Sequence, residues 1–168
     1  MGRVVETGQR ASHHNRERRL TMFEVFGNMD SVEEINACAA GLLEEGDTER
    51  IGDLARENGI PEFFVENYVS GGEELTDCMN AAIGKLGMEA KSHKDKYVPA
   101  GPVADYLKSL CIEERFARRV RRRTKSLDKC LEYVEKRTGE LVRKGITNCP
   151  DLTVFHWARD YYLEDGEE

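Results

Sequence analysis

The 168 residues hold no run of eighteen apolar residues, so no stretch qualifies as a membrane-spanning helix. The opening MGRVVETGQRASHHNRERRL has no apolar h-region, so it does not read as a signal peptide. The cysteines, at 38, 78, 111, 130 and 149, are scattered, odd in number and without a C-x-x-C pair. This argues against a disulfide framework and a structural zinc site. Small core thiols in a reducing, cytoplasmic setting are expected instead. There is no G-x-x-x-x-G-K-[ST] loop, no G-x-G-x-x-G before a strand and no H-E-x-x-H. Histidines fall only at 13, 14, 93 and 156, and Ser126 and Cys130 have no nearby base in sequence. A non-enzyme without catalytic residues, cofactor or metal is therefore expected.

What is present is charge, unevenly placed. The whole chain carries a formal charge of -7. Residues 1–21 are basic and polar, without a lasting period, and are expected to be a disordered leader, with Met22 as an alternative start. Residues 22–83 hold fifteen acidic groups against two basic ones. Residues 113–144 reverse the balance, with twelve basic groups against six acidic ones. Such a dipolar layout offers two kinds of surface to partners.

Apolar residues recur at helical spacing almost throughout. In SVEEINACAAGLLEEG, Ser31 and Glu34 fit a capping box and Gly46 a C′ stop. Asp47 can cap the next helix, which Gly59 ends, and Pro61 suits a following first turn. A fourth helix is expected over about residues 73–88. The polar EAKSHKDKYVPAG, residues 89–101, reads as a linker. Beyond it, VADYLKSLCIEERFARRV gives one or two helices, SLDKCLEYVEKRTGELVRKG a long one and CPDLTVFHWARDYYLEDGEE the last, with Asp151 as its cap. A short extended piece at Met22–Phe26 is the one strand candidate. The expected fold is all-α: an acidic lobe over residues 22–88, the linker over 89–101 and a basic lobe over 102–165.

The basic helix poses the functional question. ERFARRVRRRTKSLDK places six arginines between Arg115 and Arg123. At about 100° per residue, Phe116, Val120 and Leu127 share one face. Arg115, Arg118, Arg121, Arg122 and Lys125 turn away from it, as does Lys129 if the helix runs on through Ser126. Arg119 and Arg123 lie nearer the core boundary. Like charges four residues apart repel by a few tenths of a kcal/mol per pair, so the concentration calls for a reason. Three fit: docking against an acidic surface of this chain or a second copy, contact with DNA or RNA phosphate, or a solvated basic face. Aromatic interleaving of the kind a single-strand binder uses is missing. The candidate contact residues are Arg115, Arg118, Arg119, Arg121, Arg122, Lys125 and Lys129. Glu44, Glu45, Asp47 and Glu49 form the candidate acidic surface.

The segment from about Val103 to Leu163 resembles the PcfK-like proteins of conjugative and mobile elements. TKSLDKCLEYVEKR and the closing VFHWARDYYLED carry the likeness. DSVEEINACAAGLLEEGD with LARENGI is similar to the leading region of longer members. That family overlaps with anti-CRISPR proteins, inhibitors of type II RNA-guided DNA nucleases. The resemblance implies a mobile-element origin and a CRISPR effector nuclease, or its guide RNA complex, as partner. It brings no agreed set of functional residues. An accessory protein of conjugation or replication that contacts nucleic acid, and a self-associating homodimeric module, are the alternatives.

Overall fold

A computed structural model describes residues 25–94 and 98–165. The expected leader, residues 1–21, lies outside them, as does most of the expected extended piece. Val25 and Phe26, its described residues, form a bend. The described residues fold into eight helices without a strand, as expected of an all-α chain. They are α1 (Val32–Glu44), α2 (Thr48–Glu57), α3 (Glu62–Val69), α4 (Cys78–Ser92), α5 (Ala100–Leu110), α6 (Glu114–Arg121), α7 (Leu127–Arg143) and α8 (Asp151–Leu163).

Local chemistry sets most of the ends. Ser31 is extended, and its Oγ accepts from the Glu34 N–H at 3.2 Å. The reciprocal arm of the capping box lands one residue early, with Glu34 Oε2 accepting from the Asp30 N–H. Gly46 takes a positive φ of 74°, which lets the Asp47 N–H reach back to the Leu42 carbonyl and turns the chain into α2. Asp47 and Ser126 cap α2 and α7 through their side chains.

Three expected boundaries move. The fourth helix starts at Cys78, not near residue 73, because Asp77 takes the cap and accepts from the Asn80 N–H. It then runs through Ser92, so the stretch expected as linker begins as helix. Asp151 does not cap α8; Pro150 holds that position, and Asp151 lies in the first turn, where its charge favours the helix dipole.

Two apolar clusters form the interior. Ile35, Ala39, Ile51, Leu54, Leu75 and Ala81 belong to the first, built on α1 to α3. Leu86, Leu107, Val120, Leu127, Leu131 and Tyr162 belong to the second, built on α5 to α8. Helix α4 supplies both, giving Ala81 to one and the next residue, Ala82, to the other. Where α4 crosses the end of α2, backbone meets backbone. A Cβ on Gly84 would lie 2.2 Å from the Gly59 carbonyl oxygen, and one on Gly59 would lie 2.3 Å from that of Gly84. Helix α6 packs mainly along α4 and also touches α8. It therefore runs between the acidic half and the acidic tail.

Candidate interaction site

Helix α6 is short because the chain turns at Arg122, which is extended at φ -53° and ψ 135°. A turn follows, closed by the Lys125 N–H on the Arg122 carbonyl at 3.0 Å, and Ser126 starts α7. Lys125 and Lys129 thus leave the helical phase of Arg118. The cations divide into buried, paired and exposed ones.

Arg121, which its helical phase predicts to face outward, is only 1% exposed. Its Nε donates to the Met29 carbonyl at 3.0 Å, and Nη1 donates to the carbonyls of Asn58 and Ala81, each at 3.1 Å. Nη2 donates to Asn58 Oδ1. The buried Asn58 also accepts from the Met29 N–H and donates Nδ2 to the Leu54 and Gly27 carbonyls. One guanidinium thus ties the chain before α1, the end of α2 and the first turn of α4 to α6. Burial pulls the Arg121 pKa down to about 10.

Lys125, which the same phase predicts to face outward, is buried, and its Nζ donates to the Tyr161 and Glu164 carbonyls at 2.7 and 2.9 Å, at the end of α8. The ammonium also lies 4.4 Å from the Tyr161 ring centre. Loss of hydration lowers its pKa. Arg119 grips the same helix end through the Leu163 carbonyl and Asp165. Cations at the C-terminus of a helix meet orphan carbonyls and the negative end of the dipole.

Arg118 is partly exposed and bridges Glu33 of α1 to Glu114 of its own helix. Its hydrogen bond is the leading reason the Glu33 carboxyl lies below its usual range. Arg123 donates its backbone N–H to Asp30 and pairs loosely with Glu34 at 3.6 Å. Arg115, Arg122 and Lys129 are exposed, and no acidic partner meets them among the described residues. The structure thus brings Arg118 to the acidic half, but onto Glu33 rather than the acids of the α1–α2 turn. Those acids stay at the turn. Glu44, Glu45 and Glu49 are exposed, while half-buried Asp47 serves as the α2 cap and pairs with Arg50.

A further buried cation lies outside the basic segment singled out by the sequence. Lys85 is completely buried, and its Nζ donates to the carbonyls of Val120, Arg122 and Lys125 at 2.7–2.8 Å. Three N–H donors meet three carbonyls at the end of α6. Burial pulls its pKa down to about 8, while Glu89 one turn on favours the charge. Its position gave a signal, since it follows Ala81 by four residues and Ala82 by three, inside an apolar helical stripe. Glu89 accepts from the Leu127 N–H, and His93 sits 2.6 Å from Asp128. No group of three or more candidate metal ligands gathers among the described residues. No helix of the described residues is long and apolar enough to cross a membrane. No family model, curated protein or solved structure matches the chain.

Proposed function

We propose that the chain is a non-catalytic inhibitor that binds an RNA-guided DNA nuclease, with the anionic surface of α1 to α3 as the contact. The carrying observation is which charges remain for a partner. Arg118, Arg119, Arg121 and Lys125 are engaged within the chain. Glu44, Glu45, Glu62, Glu66 and Glu73 stay exposed in a region whose only cations are Arg50 and Arg56. Both of those pair with acids of their own helix or its cap. Nucleases of this class hold their guide–target duplex in a positively charged channel, and an anionic helical face complements such a channel. The resemblance to the PcfK-like and anti-CRISPR proteins names this partner. A mobile-element origin and a cytoplasmic site of action belong to the same proposal.

The test is protection of target DNA from a purified nuclease–guide complex. Glu44→Lys with Glu45→Lys and Glu49→Lys should weaken protection, most at low salt where charge contributes most. Arg115→Glu with Arg122→Glu should leave it in place. A wild-type chain that neither protects DNA nor co-migrates with any such complex would end the proposal.

A second proposal is direct contact with nucleic acid during conjugation or replication. Arg115, Arg122 and Lys129 favour it, being exposed and free of acidic partners among the described residues. Gel retardation of naked duplex that fades steeply with salt, and fails in Arg115→Glu with Arg122→Glu, would select it over inhibition.

A further inference from the structure

A groove of about 1240 Å³ opens between the start of α5, the outer face of α7 and the loop into α8. Its apolar wall comes from Val98, Val103, Val154 and Phe155, while α7 contributes Glu132, Glu135, Lys136, Gly139 and Val142. Large apolar side chains are exposed on its wall and beside it in sequence: Val142 is 58% exposed, Ile146 46% and Leu152 60%. Ile146 directly precedes the lining residue Thr147, and Leu152 directly follows the lining residue Asp151. Exposed apolar side chains therefore border the hollow. That is the arrangement an isologous interface requires, since each copy must offer both.

Charge selects the occupant. Along the groove the first half of α7 presents Lys129, Glu132 and Glu135, a net charge of -1, and its second half presents Lys136, a net charge of +1. Arg143, exposed two turns beyond Lys136, extends the positive side. Antiparallel to a second α7, each negative half faces a positive half and the helix dipoles oppose. A parallel partner would set like against like.

We propose that this face is the interface of a symmetric homodimer, in which α7 of each copy lies antiparallel to its mate and Val142, Ile146 and Leu152 enter the other copy's groove. The contact is separate from the acidic face of α1 to α3 and from the exposed arginines of α6.

Sedimentation equilibrium of the full chain tests it. The wild type should weigh twice its 19.1 kDa. Val142→Asp with Leu152→Asp should return the single mass with unchanged far-ultraviolet circular dichroism, both side chains being exposed. A charge exchange tests the orientation without touching the apolar contact. Glu132→Lys with Glu135→Lys should be monomeric alone, and so should Lys136→Glu with Arg143→Glu. Mixing the two should restore the double mass, because each altered half then meets its opposite. A monomeric wild type would overturn the proposal. So would a dimer that survives the aspartates, or a mixture of charge variants that stays monomeric. Should the charge variants fail to fold, the aspartate pair alone decides.

Discussion

Arg121 and Asn58 complete one another in the interior: the guanidinium donates to both the side-chain and the backbone oxygen of the asparagine. Neither is exposed, and both sit at helix ends. The pair joins the two apolar clusters, because Asn58 caps the end of α2 and Arg121 belongs to α6. A buried cation is tolerable when its donors are matched, and here carbonyls from three separate segments meet them.

Arg121→Met should therefore be among the most damaging single changes on α6. It keeps much of the volume but takes the charged donor away from the Met29, Asn58 and Ala81 carbonyls and from one side of Asn58 Oδ1. Leaving a buried acceptor without its donor costs about 1–3 kcal/mol each, and several acceptors lose one here. Urea unfolding followed by circular dichroism would measure it. A loss near that of an exposed substitution, about 0.5 kcal/mol, would mean that the network does not hold the clusters together.

Gly84→Ala should also destabilise, by about 3 kcal/mol, since the new methyl would collide with the Gly59 carbonyl, which is backbone and cannot swing aside. Gly41→Ala is the matched control. A Cβ there meets nothing within 4 Å, and Gly41 lies inside α1. It should gain about 0.5–1 kcal/mol by helix propensity. Thermal melts of the two variants should move in opposite directions.

The caps and stops explain what was legible in the sequence. Ser31, Gly46, Asp47, Gly59 and Ser126 act within three or four residues of themselves, so their roles are written locally. The arginines were misjudged for two physical reasons. A helical wheel assumes one buried face, but α6 is covered by α4, by α8 and by the chain before α1. The groups that receive Arg121 lie 92, 63 and 40 residues away, beyond any periodicity. The wheel also ran through a turn at Arg122, so the outward phase given to Lys125 belonged to a helix that had already ended.

Alkaline pH should act through groups of opposite sign. Burial pushes the Cys111 thiol up from 9.0 to about 12 and raises Cys130 further, while the Tyr162 phenol is raised well above 10.0. These stay protonated in the fold, while the unfolded chain starts to release its protons near pH 9 for the thiols and near pH 10 for the phenol. Their stabilisation is whole below those values and is lost as pH rises toward the folded ones, at up to about 1.4 kcal/mol per pH unit for each group. Lys85 runs the other way. Its pKa falls from 10.5 to about 8, so its contribution grows as pH rises between those values. Under reductant, stability should climb slightly to pH 9 and decline beyond. Cys111→Ala with Cys130→Ala should remove most of the decline between pH 9 and 10, and Lys85→Met should flatten the climb. Unfolding curves at successive pH values would separate the two. A decline unchanged in the double cysteine variant would contradict the assignment.

Part of the basic cluster serves this chain rather than a partner. Lys125 and Arg119 hold the carbonyls at the end of α8, and Lys125 is buried against Tyr161. Lys125→Met should leave the Tyr161 and Glu164 carbonyls without their charged donor, at a cost of about 1.5–3 kcal/mol. The effect should be local first, because a helix end opens without the rest. Hydrogen exchange should quicken across Tyr161–Asp165 and remain slow in α1 and α2. Arg118→Glu with Arg122→Glu should not alter exchange at that helix end. Among the described residues, Arg118 is partly exposed and pairs with Glu33 and Glu114 alone, and Arg122 is exposed without an acidic partner. If Lys125→Met leaves the end of α8 protected, the contacts that bury it are not what secures the tail. If the Arg118 and Arg122 reversals loosen that end instead, the division between structural and free cations on this segment is drawn at the wrong residues.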